Sequence, residues 1–456
     1  MSGSIAVPAR PAHEDRSTAY PAATYAWYVV AILFAVTLLS QLDRQLPALL
    51  VRPLKQEFGI SDTAFSLLQG YAFAVFYTLA GLPLGRFVDR GNRRNLIFVG
   101  LLFWSAATAL FAFAQSYSHL LVARIGVGIG EAVLAPAAYS LIADYVEPNR
   151  RARALAVYYV SIAIGSGASL LIGGWLLASI PSQGLVLGGL GELSSWRIAF
   201  LAAAVPGVPL AAVLLWSVRE PVRREDTGML AAVGGPSVAD FVCHLRRHLG
   251  TFARVLTYPT LLSIVGYGAL AWAPALFDRR FAIPASRSGV ILGLLVALAG
   301  GVGTLLSGFL SDYWISRGVA AARLRVAFAG VLLLPVPAIL WPVAPSPELA
   351  YALLSVAIFA LSISQSAAPA TIQSVVPNQM RGQAIASYLL LAGLLGIGLG
   401  PTSVALVTDF VFTDPGALGR SIAVTAAPAS LLAAWLIGSG LKPYARSYLA
   451  LQQEAV

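Results

Sequence analysis

The chain has 456 residues, of which 58% are hydrophobic and 11% charged, far below the roughly 25% charged residues of a soluble domain. Long continuous apolar runs and a mean hydropathy of +0.77 indicate an all-α polytopic membrane protein. At about 20 residues per span they accommodate about twelve transmembrane helices, and they exclude a barrel of short alternating segments.

Residues 1–24 are polar and contain no apolar core, so no cleavable signal peptide is expected. The first span covers about 25–50 and carries Asp43 and Arg44 in its second half, with Pro47 placed to kink it. Helix 2 is expected at 63–86, followed by a compact basic turn containing Gly85, Asp89, Arg90, Arg93 and Arg94. Helices 3, 4 and 5 follow at 95–115, 119–143 and 154–179, and helix 6 ends near 218.

The longest polar stretch, 219–254, is the boundary between halves. Within it Val238, Phe241, Val242, Leu245, Leu249 and Phe252 recur at helical spacing beside Arg246, Arg247 and Arg254, as in an amphipathic helix lying on anionic lipid headgroups. The expected domains are therefore an N-terminal six-helix bundle with its tail (1–218), a cytoplasmic linker (219–254) and a C-terminal six-helix bundle with its tail (255–456). Helices 7 to 12 are expected at 257–277, 287–312, 323–343, 348–376, 383–408 and 419–441. Asp312 and Arg317 fall after the second helix of this half, where Asp89 and Arg90 fall in the first, which indicates an internal duplication.

Lys and Arg gather in the linker, the helix 2–3 turn and the helix 4–5 loop, which places these segments and both termini in the cytoplasm. The net charge of +10 is thus a topology signal, and no nucleic-acid partner is expected. The single cysteine, Cys243, excludes an internal disulfide and a cysteine-based metal cluster. His244 and His248 stand four apart, but no carboxylate or cysteine set completes a metal site beside them. Gly126, Gly128 and Gly130 follow no strand and give a helix-packing flank, not a dinucleotide loop. No cofactor and no enzymatic nucleophile are expected.

The most informative stretch is 121–136, LVARIGVGIGEAVLAP, on helix 4. Ionisable residues inside a span are costly unless paired or functional, and Arg124 and Glu131 stand seven residues apart, on nearly one face. Asp43 lies roughly 10 Å and Arg124 roughly 8 Å from the outer face, so the two side chains are expected to pair. Glu131 lies near the midplane, within reach of Arg44 only where the helices cross favourably. Desolvation disfavours its charged form, so proton binding and release at this carboxyl is one reading; a static ion-pair lattice joining helices 1 and 4 is the other. The C-terminal half offers only neutral polar groups mid-span: Ser362, Ser364, Gln365, Gln373, Thr402 and Ser403. Tyr71, Trp272 and Gln365 are the candidate cargo-facing residues.

The turn GRFVDRGNRR resembles the helix 2–3 signature of the major facilitator superfamily, and Arg124-x-Gly-x-Gly-x-Gly resembles its helix 4 motif. The resemblance implies that Gly85, Asp89, Arg90, Arg93 and Arg94 latch the cytoplasmic side of the outward-open state, with Asp312 and Arg317 as a degraded second copy. The helix 5 run 165–174 is a looser match to the exchanger motif and lacks its Gly-Pro pair. Within the superfamily, LDRQLPALLVRPLKQEFGISDTAFSLLQ, the helix 4 stretch ARIGVGIGEAVLAP and YYVSIAIGSGASLLIGGWL look like the spinster family of lipid transporters. By that resemblance Asp43, Arg44, Arg124 and Glu131 are proton-coupling and gating residues, and protons and membrane lipids are partners. The implied cargo is an amphipathic lipid of the sphingosine-1-phosphate or lysophospholipid kind. A related Asp-Arg pair also occurs in organic-anion symporters, so a water-soluble organic anion or drug is the alternative. The alanine- and glycine-rich composition and short loops suggest a bacterial inner-membrane member, expected to work as a monomer.

Overall fold

The computed structural model describes residues 20–181, 184–187, 191–223, 237–319 and 321–454. Twelve helices among them are long and apolar enough to span a membrane. In the first half they are Ala23–Leu49, Asp62–Arg90, Arg93–Ala112, Tyr117–Tyr145, Pro148–Ser179 and Ser195–Ser217. In the second half they are Leu249–Phe281, Ala285–Ser316, Ala322–Val343, Pro347–Gln373, Asn378–Phe412 and Pro415–Leu451. These are helices 1 to 12 below, arranged as two six-helix bundles. A small antiparallel hairpin, β1 (Leu185–Leu187) and β2 (Gly191–Leu193), lies between helices 5 and 6.

Several element bounds differ from the sequence reading: helix 5 starts at Pro148 and helix 12 runs on to Leu451. The amphipathic helix is shorter, Val238–Arg247, and helix 7 begins at Leu249, inside the stretch assigned to the linker. Ser237 caps the short helix and exchanges hydrogen bonds with Asp240, which holds the Asp240 carboxyl below the usual carboxylate range. Its Phe241 and the Phe252 of helix 7 are buried against the C-terminal bundle. Residues 224–236 of the linker lie outside the described residues. Helix 4 is interrupted between Tyr117–Glu131 and Leu134–Tyr145. Pro136 has no N–H to offer the Ala132 carbonyl, so the break falls immediately after Glu131.

The halves press together on the face away from the termini and diverge toward the terminus-bearing face. A Cβ on Gly70 of helix 2 would stand 2.6 Å from the Ile397 carbonyl oxygen of helix 11, and one on Gly174 of helix 5 would stand 2.7 Å from the Ser286 oxygen of helix 8. Only glycine permits such backbone approach. Nearer the terminus-bearing ends of the same helices, Gly81, Gly85, Gly301 and Gly308 meet nothing within 4 Å. The apolar cores follow the same division. One runs through the N-terminal bundle and across to Trp272, Phe277, Leu292 and Val404, and a second fills the terminus-side part of the C-terminal bundle. Wide π-helical turns at Leu67–Tyr71, Val296–Gly300 and Ala392–Leu399 lie in helices 2, 8 and 11, where the halves meet.

Candidate functional site

Helix 1 brings Asp43 and Arg44 to helix 4, but the pairing differs from the expected one. Arg124 Nη1 donates to the backbone carbonyl of Asp43 at 2.8 Å, and not to its carboxylate. The cause is Pro47, four residues on. It lacks the N–H that would satisfy that carbonyl within the helix, so an acceptor stands open and the guanidinium takes it. Asp43 is 2% exposed; its carboxylate enters no ion pair among the described residues and has the Thr108 hydroxyl of helix 3 beside it.

Arg44 instead pairs with Glu131, Nε to Oε2 at 2.7 Å. Ser40, one helical turn before Arg44, donates to the same oxygen at 2.8 Å. Glu131 is fully buried, and its second oxygen, Oε1, has no partner among the described residues. The break in helix 4 opens just beyond it. Phe73 of helix 2 stands between the two cations, 4.7 Å from the Arg44 guanidinium carbon and 5.1 Å from that of Arg124, and Tyr77 lies 5.0 Å from Arg44. The aromatic faces stabilise charge where water is scarce. A space of about 40 Å³, room for only a few waters, touches Arg44, Arg124, Gln41, Gln69, Tyr267 and Pro401, so residues of both halves line it.

The candidate cargo-facing residues are engaged elsewhere in this conformation. Trp272 is fully buried, donates from Nε1 to the Pro401 carbonyl at 2.9 Å and packs its edge on Phe65, so it is a core residue and not a cavity wall. The Tyr71 ring lies against Gly398 across the interface between halves. Gln365 donates to Ser263 Oγ at 3.0 Å and the Pro259 carbonyl at 3.2 Å and accepts from the Tyr388 hydroxyl at 3.2 Å, tying helices 7, 10 and 11 together.

At the terminus-bearing face the basic turn divides into two parts. Arg93, 1% exposed, clamps the N-terminal bundle: it donates to Glu220 at 2.7 Å, to Ser140 Oγ at 2.7 Å and to Asp144. The Arg94 N–H donates to Glu220 at 2.9 Å. Asp89, Arg90 and Asp312 are exposed and enter no ion pair among the described residues, and Arg317 lies over the Tyr313 ring at 4.6 Å.

On the opposite face stands a charge cluster that the sequence reading missed. The buried Asp62, at the start of helix 2, accepts both terminal nitrogens of Arg279 from the end of helix 7, each at 2.7 Å, and also Lys55. Arg52 pairs with Asp278 at 3.2 Å, and the Thr63 N–H donates to Asp409 at 2.7 Å. All of these bonds but Lys55–Asp62 join the two halves. In the sequence these residues look like loop charges; the available signal was an Asp-Arg-Arg run at the outer end of helix 7 opposite Lys55 and Asp62.

The Major Facilitator Superfamily model matches residues 33–401. An MFS-type efflux pump of Mycolicibacterium smegmatis is 30% identical, covering 90% of this chain and 92% of the pump. Protein spinster of Drosophila melanogaster is 25% identical, over 84% of this chain and 62% of its own length. Among solved structures, a bacterial homolog of the human lysosomal transporter spinster, inward-facing and unoccupied, superposes with a TM-score of 0.78 at 26% identity, covering 94% of this chain and 99% of that one. Two bundles closed on one face and parted on the other agree with the inward-facing form of that neighbour, and the chain belongs to the Major Facilitator Superfamily of transporters.

Proposed function

We propose that this transporter moves an amphipathic lipid, of the sphingosine-1-phosphate or lysophospholipid kind, by alternating access coupled to protons. The observation that carries the coupling is the pair of buried carboxyls at the junction of helices 1 and 4. Among the described residues Asp43 enters no ion pair and has the Thr108 hydroxyl of helix 3 beside its carboxylate, and one oxygen of Glu131 has no donor. A buried carboxylate left short of donors is costly to keep charged, and a proton relieves that cost. Glu131 is held by Arg44, and Arg44 also borders the space between the halves, so protonation would free the cation there. In this reading the terminus-bearing face is cytoplasmic and the protein, in a bacterial inner membrane, stands open to the inside. Asp89, Arg90, Asp312 and Arg317 then wait unpaired to latch that face when it closes. The lipid cargo rests on the likeness to spinster proteins and on the mid-spans of the C-terminal half, which bury no charged residue among those described.

A second reading, a carrier of a water-soluble organic anion or drug, is favoured by the efflux pump's likeness and by Arg44 at the central space. Flux in proteoliposomes under an imposed pH gradient separates the two. Labelled lysophospholipid and a hydrophilic organic anion are compared, with wild type and Glu131→Gln. Gradient-driven lysolipid movement that the substitution abolishes supports the lipid carrier, whereas gradient-driven movement of the anion alone replaces it with the second reading.

A further inference from the structure

A second cavity, of about 690 Å³, opens at the terminus-bearing ends of helices 9 to 12, away from the junction of helices 1 and 4. Its polar wall is Arg323, Gln373, Ser374, Asn378, Arg381 and Tyr448, and no Asp or Glu lines it among the described residues. Arg381 Nε donates to the Gln373 carbonyl at 3.2 Å. Beyond that, neither arginine enters a hydrogen bond or an ion pair among the described residues. Two guanidinium groups therefore face one cavity with most of their donors uncommitted.

The N-terminal half shows the same place filled. Pro148-Asn149 opens helix 5 and Pro377-Asn378 opens the corresponding helix 11, which fixes the register of the duplication. Four residues before each proline stand Asp144 and Gln373. Arg93 and Arg323 open helices 3 and 9 in the same way, at the first and second residue. In the first half Arg93 is neutralised from two sides, by Asp144 at the end of helix 4 and Glu220 after helix 6. In the second half the carboxylate is replaced by an amide, and the helix 12 end supplies Tyr448 and Leu451. The cation is kept, no carboxylate meets it among the described residues, and a cavity stands where the first half places its carboxylates.

We propose that this cavity binds a phosphate group, either free phosphate or the phosphate of an anionic lipid headgroup, held by Arg323 and Arg381 in place of the carboxylates that the first half carries. Two guanidinium forks match a phosphate's charge and oxygens, and the side-chain amides of Gln373 and Asn378 complete the donors. The cavity lies at the membrane boundary, where both sources are within reach.

The test uses the full-length protein in nanodiscs of phosphatidylcholine, alone or with phosphatidylglycerol. Binding of radiolabelled inorganic phosphate is measured in the first. Retention of phosphatidylglycerol is measured by native mass spectrometry from the second. Wild type is expected to bind one of the probes, and Arg323→Gln and Arg381→Gln are expected to weaken that binding about tenfold or more. Asn378→Asp, at the exposed first residue of helix 11, leaves both arginines in place and installs an internal carboxylate; it should weaken binding equally without altering Tm in the absence of anion. Arg150→Gln, at the start of helix 5, should change nothing. Phosphate bound in phosphatidylcholine discs identifies a free anion, and retained phosphatidylglycerol that phosphate does not displace identifies a headgroup. Binding of neither probe, or binding indifferent to all three cavity substitutions, would overturn the proposal.

Discussion

Pro47 acts through the hydrogen bond it cannot make. By withholding one N–H it leaves the Asp43 carbonyl open for Arg124, which locks helix 4 onto helix 1 and leaves the Asp43 carboxylate without that cation's hydrogen bond. Pro47→Ala is expected to restore the internal helix bond and compete with Arg124. Tm should hold or rise, since alanine favours a helix interior by about 3 kcal/mol over proline, while flux falls. Intact flux would show that the Arg124 contact is dispensable. Glu131→Gln is expected to cut gradient-driven flux at least about tenfold with little loss of Tm, because the amide can still accept from Ser40 and Arg44. The expense of four ionisable groups in two spans was legible in the sequence. Their partners were not. Adjacent residues point about 100° apart on a helix, so a modest rotation decides whether Asp43 or Arg44 meets helix 4, and depth alone carries no such information. Nor does a pattern of side chains reveal that a backbone carbonyl is free until the proline's effect is traced to its acceptor.

Helices 2, 5, 8 and 11 bring the halves together through backbone contact at glycine, and the outer charge cluster closes over them. Gly70→Leu would drive a side chain into the Ile397 carbonyl and is expected to hold the outer face open. Gly81→Leu, on the same helix where nothing lies within 4 Å, should be silent. Modification of single cysteines placed at the outer ends of helices 5 and 8 reads the difference, and equal protection in both variants would contradict it. Arg279→Gln should loosen the same closure less severely, since Arg52–Asp278 and Thr63–Asp409 still bridge the halves. The spans themselves were legible because length and hydropathy suffice for them. The early start of helix 7 and the π-helical turns were not. The first depends on Phe252 finding a buried seat in the C-terminal bundle, and the second on which turns meet the opposite half, both of them tertiary facts.

Across the whole molecule the two bundles share a plan and divide the chemistry. Buried charge between spans belongs to the first half, at helices 1 and 4, while the second half presents neutral packing around Gln365 and an uncompensated basic cavity at its terminus-bearing end. Rocking the halves exchanges one set of charges for another, with Asp62 and Arg279 closing the outer face and Asp89, Arg90, Asp312 and Arg317 available to the inner one. In the proposed mechanism a proton on the helix 1–4 carboxyls biases that exchange. The measurement that tests it most directly is the distance between spin labels at the terminus-bearing ends of helices 5 and 8, in nanodiscs, as a function of pH. Coupling of one proton predicts that the ratio of open to closed populations changes by up to about tenfold per pH unit in wild type, and that Glu131→Gln flattens this response while both distances remain populated. An unchanged pH response in Glu131→Gln, or none in wild type, would contradict the proposal and leave the Arg44–Glu131 pair as a static tie between helices.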